Sequence, residues 1–279
     1  MGYSSGNTSP TDHSDVPDHA PAHGTVARMG QVEPVTWTFA QTVRGAIATL
    51  APWLVFIWGI ALLSAQSTAT TQRHLSTVED IVGGIVSFAL TGGVELAFVV
   101  APAYFVVVRR APGITRREAF VALGFRRMPL RPAIAVTIVG FVAIISINLL
   151  YGYLVQLFHL QLHTNSDELL QQARYAPITS LALVAGAVLI APICEEIFFR
   201  GYLFGGLLQG MGLWPAALLS AALFALAHGD IGSLVVLFVF GLVLAYVRWR
   251  CGSLWPGIII HMANNATAAV VIVLALTAR

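Results

Sequence analysis

The chain has 279 residues, of which 57% are apolar and only 10% are charged, and its mean hydropathy is +0.78. This composition, with its repeated long uncharged runs, excludes an ordinary soluble globular protein and favours a polytopic membrane protein. The net charge of +2 gives no indication of nucleic-acid binding. The two cysteines, Cys194 and Cys251, lack the paired spacings of a zinc ribbon or a disulfide framework, so we expect both to be reduced.

Residues 1–44 are rich in Ser, Thr, Pro, Asp and His, which predicts a disordered N-terminal tail because so little apolar surface can be buried. Seven apolar runs follow, at 45–65, 81–108, 132–156, 177–194, 212–228, 231–247 and 255–277. Several reach the roughly 20 residues that a helix needs to cross a hydrocarbon core of about 30 Å. Since their residues alternate too poorly for barrel strands, we predict an all-α fold with about seven (six to eight) transmembrane helices.

The connection between the second and third runs, residues 109–131, contains seven Arg and one Glu. The positive-inside rule predicts that this loop is cytoplasmic, within an N-terminal membrane unit over residues 45–158. The N-terminus and the turn at Arg248 and Arg250 would then also be cytoplasmic, with residues 159–176 outside. The segment RREAFVALGFRR could be an amphipathic helix on the membrane surface or a charged connector. The Arg-only, Ala-rich composition favours the plasma membrane of a bacterium.

Charged residues interrupt the fourth apolar region, in the segment APICEEIFFRGYL. A charged side chain at the centre of a span costs about 2.5–3.5 kcal/mol, so such residues must be paired, hydrated or functional. On an α-helix Glu196 and Arg200 share a face and can neutralise each other. Glu195 is displaced by about 100° from Glu196, which leaves it to face a different group.

The polar residues that could meet Glu195 are few. His228 ends the segment FALAHG, while His261 and Asn265 are four residues apart and project from one side of a helix. If QGMGLWP forms the turn between two antiparallel helices, Glu195 and His228 both lie about 20–25 Å from that turn. Straight helices would misplace His261 by two or three turns, which predicts a break near residues 228–232 that lines a hydrated cavity.

Four costly polar groups on three consecutive segments favour a functional site over incidental helix packing; they are Glu195, His228, His261 and Asn265. A carboxylate beside an imidazole can deprotonate water, and a second imidazole and an amide can stabilise an oxyanion. Glu195, His228 and His261 could alternatively hold Zn²⁺, although no pair has the HExxH spacing. A proton-coupled transporter or a cation site also remains open. Glu95, in the second run, is expected to be a packing or cavity-lining residue.

Three motifs occur in order: Glu195-Glu196-x-x-x-Arg200, Phe224-x-x-x-His228 and His261-x-x-x-Asn265. This ordered set resembles the CAAX protease and bacteriocin-processing (CPBP) family of intramembrane endopeptidases, which includes the prenyl-protein-processing CAAX proteases. Each motif alone is weak, but the three in this order are highly specific. The likeness covers residues 177–277, for which the resemblance implies a catalytic membrane domain.

The resemblance also implies a role for each motif residue. Glu195 would be the base that activates water, with His228 assisting it. His261 and Asn265 would stabilise the oxyanion that forms when water attacks a peptide carbonyl. No motif position is substituted, so the resemblance predicts an active peptidase.

For Glu196 and Arg200 the resemblance implies a pair that organises the site. The family has been described both as metallopeptidases and as metal-independent glutamate peptidases; we favour the latter and predict no cofactor, with Zn²⁺ as the alternative. The expected substrate is a membrane-associated protein or peptide, cut near the cytoplasmic side, and the sequence does not say whether it is prenylated. The rival hypothesis is a non-enzymatic immunity or scaffold protein that binds a partner through the same polar pocket.

Overall fold

The computed structural model describes residues 35–66, 73–162 and 164–277, and these residues form helices with no strand among them. The helices are α1 (Phe39–Gln66), α2 (Thr77–Pro102), α3 (Arg116–Leu123), α4 (Leu130–Leu157), α5 (Asn165–Gln172), α6 (Pro177–Leu189), α7 (Ala191–Glu195), α8 (Phe204–Met211), α9 (Leu213–Ala227), α10 (Leu234–Cys251) and α11 (Trp255–Thr277). Two π-helical segments continue them: Ala103–Val108 extends α2, and Glu196–Leu203 joins α7 to α8. The predicted all-α fold is confirmed.

Within the described residues, five helical stretches are long and apolar enough to cross a membrane: Phe39–Leu63, Thr77–Val108, Leu130–Leu157, Pro177–Met211 and Leu234–Cys251. Two further apolar helices, α9 with 15 residues and α11 with 23, complete the seven apolar stretches predicted from the sequence. The chain is therefore a polytopic helical membrane protein. The number of membrane crossings, about seven, stays a prediction because α9 is shorter than the roughly 20 residues of a full crossing.

Local sequence signals fix where several helices begin and end. Ser76, Thr115 and Thr164 are N-caps of α2, α3 and α5, and each forms a capping box with an acidic residue three positions on. α3 ends at Gly124, whose φ of 110° lies in the left-handed region that glycine tolerates. The first eight residues of the segment RREAFVALGFRR thus form helix α3.

The predicted N-terminal tail needs a correction at its C-terminal end. Of residues 1–44, the first 34 lie outside the described part of the chain, but α1 already begins at Phe39. The Gln41 side chain accepts a hydrogen bond from the Thr38 backbone N–H (2.8 Å), and the Thr38 hydroxyl accepts one from the Gln41 backbone N–H (3.2 Å). This capping pattern starts the helix within a stretch whose polar composition resembled the tail.

Backbone hydrogen bonds group the connecting loops at two opposite ends of the helices. The Leu254 N–H donates to the Gly124 carbonyl (2.9 Å), which joins the Arg-rich loop 109–131 to the turn between α10 and α11. At the other end, the Leu75 N–H donates to the Tyr175 carbonyl (3.1 Å). The loops that the charge distribution assigns to opposite sides therefore lie at opposite ends.

The tightly packed core lies in the C-terminal part of the chain. Among the described residues, eleven of the twelve largest fully buried side chains come from positions 198–261. Five phenylalanine rings form a continuous series of contacts there. The distances between successive ring centroids are 5.4 Å for Phe98–Phe198, 5.0 Å for Phe198–Phe199, 5.3 Å for Phe199–Phe224 and 5.9 Å for Phe224–Phe240. This aromatic core surrounds the charged motif residues.

Candidate active site

The two adjacent glutamates lie where the helix changes its winding. Glu195 ends α7, Glu196 begins the π-helical segment, and their exposed fractions are 8% and 0%. Pro192, just before them, has no N–H to donate to the preceding turn, which accounts for the interruption between α6 and α7. Single π-helical turns within α-helices are frequent at functional sites.

Glu196 and Arg200 form the ion pair that their four-residue spacing predicts. Glu196 Oε1 lies 3.0 Å from Arg200 Nη1, and both side chains are fully buried. The guanidinium carbon of Arg200 lies 4.1 Å from the centroid of the Phe224 ring. A cation over an aromatic face is stabilised by the ring quadrupole, so Phe224 supports this buried charge. Sequence reasoning missed this role, because it considered Phe224 only as a marker four residues before His228.

His261 lies between the two glutamates. Its Nδ1 is 3.3 Å from Glu196 Oε1, and its Nε2 is 3.9 Å from Glu195 Oε2. The two carboxylates thus approach opposite edges of the same imidazole ring, and Glu196 contacts His261 in addition to its predicted partner Arg200. A carboxylate only accepts, so Nδ1 donates its proton to Glu196 and Nε2 is the nitrogen directed toward Glu195.

The position of the His261 ring is fixed by its neighbours. The ring is 2% exposed and makes edge-to-face contacts with Phe240 (5.0 Å between centroids) and Phe224 (5.8 Å). One turn earlier, a Cβ at Gly257 would lie 3.0 Å from Glu196 Oε2. Glycine at this position therefore lets α11 approach Glu196 closely enough for His261 to reach both carboxylates.

His228 follows α9, at the start of an irregular turn over residues 228–233 that replaces the helix where a break was predicted. The His228 Nδ1 is 2.8 Å from the Phe224 carbonyl oxygen. Because a carbonyl only accepts, Nδ1 carries a proton and Nε2 is available for other contacts. The Asp230 carboxylate holds the turn by accepting hydrogen bonds from the Ser233 N–H and the Asn165 N–H, both at 3.0 Å.

Glu195 and His228 line one cavity of about 160 Å³. Glu95 of α2 contributes to the same cavity, as expected of a lining residue. Trp53 of α1 forms part of the wall and donates its indole N–H to the Ala227 carbonyl (2.7 Å), which attaches α1 to the end of α9. The cavity combines polar groups with a volume sufficient for water.

Asn265 belongs to a chain of three amides that connects α4, α11 and α6. Asn148 donates to Asn264 (2.8 Å), Asn264 donates to Asn265 (3.2 Å), and Asn265 Nδ2 donates to the Ala187 carbonyl (2.9 Å). Asn265 is not among the described residues that line the cavity. Sequence reasoning missed Asn148 and Asn264, although an amide in the middle of an apolar run is itself a signal.

The side chains of the alternative zinc site do not form a cluster in the described part of the chain. Glu195, His228 and His261 have the donor chemistry of a zinc site. In the part of the chain that the structure describes, however, no three His, Cys, Asp or Glu side chains come close enough together to hold one ion. His261 Nδ1 also faces Glu196, outside the proposed ligand set. Zinc dependence therefore stays a prediction to be tested by chelation.

Comparisons with known proteins find a family model that is similar to the part of the chain that contains these residues. The family model described as "Type II CAAX prenyl endopeptidase Rce1-like" matches residues 177–267, a range that contains all three motifs. Residues 177–267 are therefore similar to this family of prenyl endopeptidases, in agreement with the resemblance carried by the three motifs. The Bacillus subtilis (strain 168) protein named "Putative membrane peptidase YdiL" is 27% identical over 101 residues. That alignment covers 36% of this chain and 40% of the relative.

No solved structure matches the chain significantly. The helices α1 to α5 lie outside the range that the family model matches. Two of them nevertheless contribute to the site, since α2 supplies Glu95 and α1 supplies Trp53. The cavity of the matched region is thus completed by helices that the family comparison does not cover.

Proposed function

We propose that the chain is an intramembrane endopeptidase that hydrolyses a peptide bond of a membrane-associated protein or peptide. The observation that carries this proposal is the buried Glu195 carboxylate, which shares a cavity with His228 and lies 3.9 Å from His261. A carboxylate between imidazoles in a restricted polar cavity has the composition needed for general-base activation of water. The CPBP match over the same residues supports the same reaction.

In the proposed mechanism, Glu195 removes a proton from a water molecule in the cavity. The water oxygen bonds to the carbonyl carbon of the substrate, and the carbonyl oxygen becomes an oxyanion. The protonated Glu195 then delivers its proton to the amide nitrogen as the carbon–nitrogen bond breaks. His228 Nε2 accepts a hydrogen bond from the attacking water. This nitrogen is available because Nδ1 is hydrogen-bonded to the Phe224 carbonyl.

The oxyanion needs donors that are already in place when it forms. Asn265 Nδ2 carries two protons and uses one on the Ala187 carbonyl, so the second can be donated to the substrate. His261 is the second proposed donor, through the Nε2 edge that faces Glu195 when this nitrogen is protonated. The amide chain from Asn148 keeps the NH₂ group of Asn265, rather than its oxygen, directed toward α6.

Glu196 and Arg200 act as positioning residues. Arg200 neutralises Glu196, and Glu196 in turn accepts the Nδ1 proton of His261. This second contact fixes the ring nitrogen that faces Glu195. The pair therefore determines the orientation of the imidazole without contacting the substrate in this proposal.

We further infer that the Arg-rich loop 109–131 and the N-terminus face the cytoplasm of a bacterium, with the protein in the plasma membrane. The support is the positive-inside rule together with the arrangement of loops at two opposite ends. Peptide cleavage would take place from the cytoplasmic side. Labelling of single cysteines introduced at exposed Arg127 and Arg174 would test this orientation, since a membrane-impermeant reagent should reach only Arg174→Cys from outside.

The function is tested by comparing protein termini in membranes from cells that produce either the wild type or the Glu195→Gln variant. Mass spectrometry should detect new termini in membrane proteins only with the wild type. Purified protein acting on such a substrate should lose about 10²- to 10⁴-fold in turnover with Glu195→Gln or His228→Ala. The matched control is Glu168→Gln, an exposed acid on α5, which should leave turnover unchanged.

Identical termini with the wild type and Glu195→Gln would contradict the peptidase proposal. If the cellular phenotype also persisted with Glu195→Gln, the non-enzymatic immunity or scaffold hypothesis would account for it better. Chelators added to the purified protein separate the two catalytic types. Full turnover in a chelator supports activation of water by Glu195, whereas loss that added Zn²⁺ reverses supports the metal alternative.

A further inference from the structure

Five exposed arginines lie between α2 and the first turn of α4: Arg109, Arg116, Arg117 and Arg127 on the connector, and Arg131 at the start of α4. The candidate spans on either side end at Val108 and begin at Leu130, so the connector lies where two spans reach the same surface of the membrane. Glu118, the acidic residue of the connector, accepts hydrogen bonds from the backbone N–H (2.6 Å) and hydroxyl (2.8 Å) of Thr115. Its charge is thus used to cap α3, and the outer surface of the connector is strongly positive.

α3 combines this charge with an apolar contribution. Its inner side buries Ala119, Ala122 and Leu123 against the protein, while the ring of Phe120 is 47% exposed. An exposed aromatic ring among cationic side chains is typical of helices that lie in the headgroup region of a bilayer. We call the five exposed arginines and Phe120 the arginine surface.

The arginine surface is held in place by the body of the protein. The Gly124 carbonyl at the end of α3 accepts a hydrogen bond from the Leu254 N–H (2.9 Å), and the Leu123 carbonyl accepts one from Arg248 Nη2 (3.4 Å). A surface that is already ordered loses less conformational entropy on binding a ligand. It is therefore better suited to specific contacts than a mobile charged loop would be.

We propose that the arginine surface binds the phosphate groups of anionic phospholipids in the surrounding bilayer. Guanidinium groups match phosphate oxygens in charge and in bidentate geometry, and the ends of two spans place them at headgroup height. Exposed Phe120 would insert beside the headgroups. This inference does not depend on the proposed peptidase function.

The experiment measures binding of a fluorescent phosphatidylglycerol to the purified full-length protein in detergent micelles, with fluorescent phosphatidylcholine for comparison. The wild type should bind the anionic lipid more tightly, and added salt should weaken that binding. Replacing Arg116 and Arg117 together by Gln should weaken phosphatidylglycerol binding about tenfold to thirtyfold. The matched control replaces Arg73 and Arg174 by Gln, which removes the same charge from exposed arginines at the opposite end and should change binding less than about twofold.

Equal phosphatidylglycerol binding by the wild type and the Arg116→Gln, Arg117→Gln variant would overturn the proposal, as would an equal loss in the control. If that variant does not fold, Arg109→Gln with Arg131→Gln tests the same surface at its edges and should also weaken binding. Displacement of the fluorescent lipid by hexaglutamate at equal concentration would assign the surface to an acidic protein segment and reject the lipid proposal.

Discussion

The spans of the N-terminal and C-terminal parts have similar hydropathy but different surroundings. Mean hydropathy is 2.1, 1.9 and 2.5 in the spans of α1, α2 and α4, and 2.1 and 1.9 in those of α6 to α8 and of α10. The buried share of residues is 6%, 17% and 11% in the first group, but 33% and 39% in the second. The apolar residues of the N-terminal spans therefore face mainly lipid, whereas those of the C-terminal spans form a packed core around charged groups.

This difference predicts that equivalent substitutions in the two regions have unequal or opposite effects. In the C-terminal region, a change alters a neighbouring side chain or leaves a buried charge without its partner. In the N-terminal spans, the same change meets the surrounding lipid, which can adapt. A pair of glycine substitutions compares the two regions directly, whereas an arginine pair and an amide–hydroxyl pair compare a partnered side chain with a control side chain.

The largest effect is expected for Arg200→Met. It leaves the fully buried Glu196 without its ion-pair partner, and breaking a buried pair in this way typically costs about 3–5 kcal/mol in the free energy of unfolding. Thermal unfolding of the purified protein in detergent measures the loss. Arg174→Met, at an exposed arginine, should change stability by less than about 0.5 kcal/mol. Combining Arg200→Met with Glu196→Gln should recover part of the loss, and equal stability of Arg200→Met and the wild type would contradict the prediction.

A smaller effect, of opposite sign in the two regions, is expected for glycine-to-alanine changes. A Cβ at Gly241 in α10 would lie 2.9 Å from Ala221 Cα in α9, so Gly241→Ala should destabilise the protein by about 1–3 kcal/mol. A Cβ at Gly93 in α2 has nothing within 4 Å, so Gly93→Ala should stabilise the helix by up to about 1 kcal/mol. Thermal unfolding of both variants gives the signs, and the same sign for both would reject the comparison.

The smallest effect is expected for Asn148→Leu, which removes the first amide of the chain leading to Asn265. The lost hydrogen bond, from Asn148 to Asn264, is worth about 0.5–1.5 kcal/mol. Because it helps to orient Asn265 toward the transition state, its loss should lower turnover about threefold to tenfold. If the proposed role of Asn265 is right, kcat should fall while KM stays constant, even at temperatures at which the variant is fully folded. Ser146→Ala is the control, because the Ser146 hydroxyl donates to the Val142 carbonyl of its own helix, and it should leave kcat unchanged.

Local spacing predicted the features of the site that depend on a single helix or turn. The pairing of Glu196 with Arg200 followed from four residues of separation, and the turn QGMGLWP was correctly placed between α8 and α9. The interruption after His228 was inferred by comparing helix lengths with depth. These inferences succeed because rise per residue and angular spacing are properties of the backbone alone.

Contacts between helices were predicted poorly. The sharing of His261 by both glutamates, the position of Phe224 beneath Arg200, and the amide chain through Asn148 all depend on how helices cross. A π-helical turn also changed which way consecutive side chains point, and no residue pattern indicated it beyond the nearby Pro192. Two glycines, Gly241 and Gly257, mark close approaches whose partners only the packed structure identifies.

The amino-acid sequence by itself determined that this protein is a helical membrane protein and that its few buried charges form ordered motifs. Both conclusions follow from the high free energy of placing polar groups in hydrocarbon, which makes such residues conspicuous in a single chain. Only the tertiary structure decided that one imidazole lies between two carboxylates and that helices outside residues 177–267 line the cavity. These contacts depend on interatomic distances between segments far apart in the chain, which packing sets and local periodicity does not.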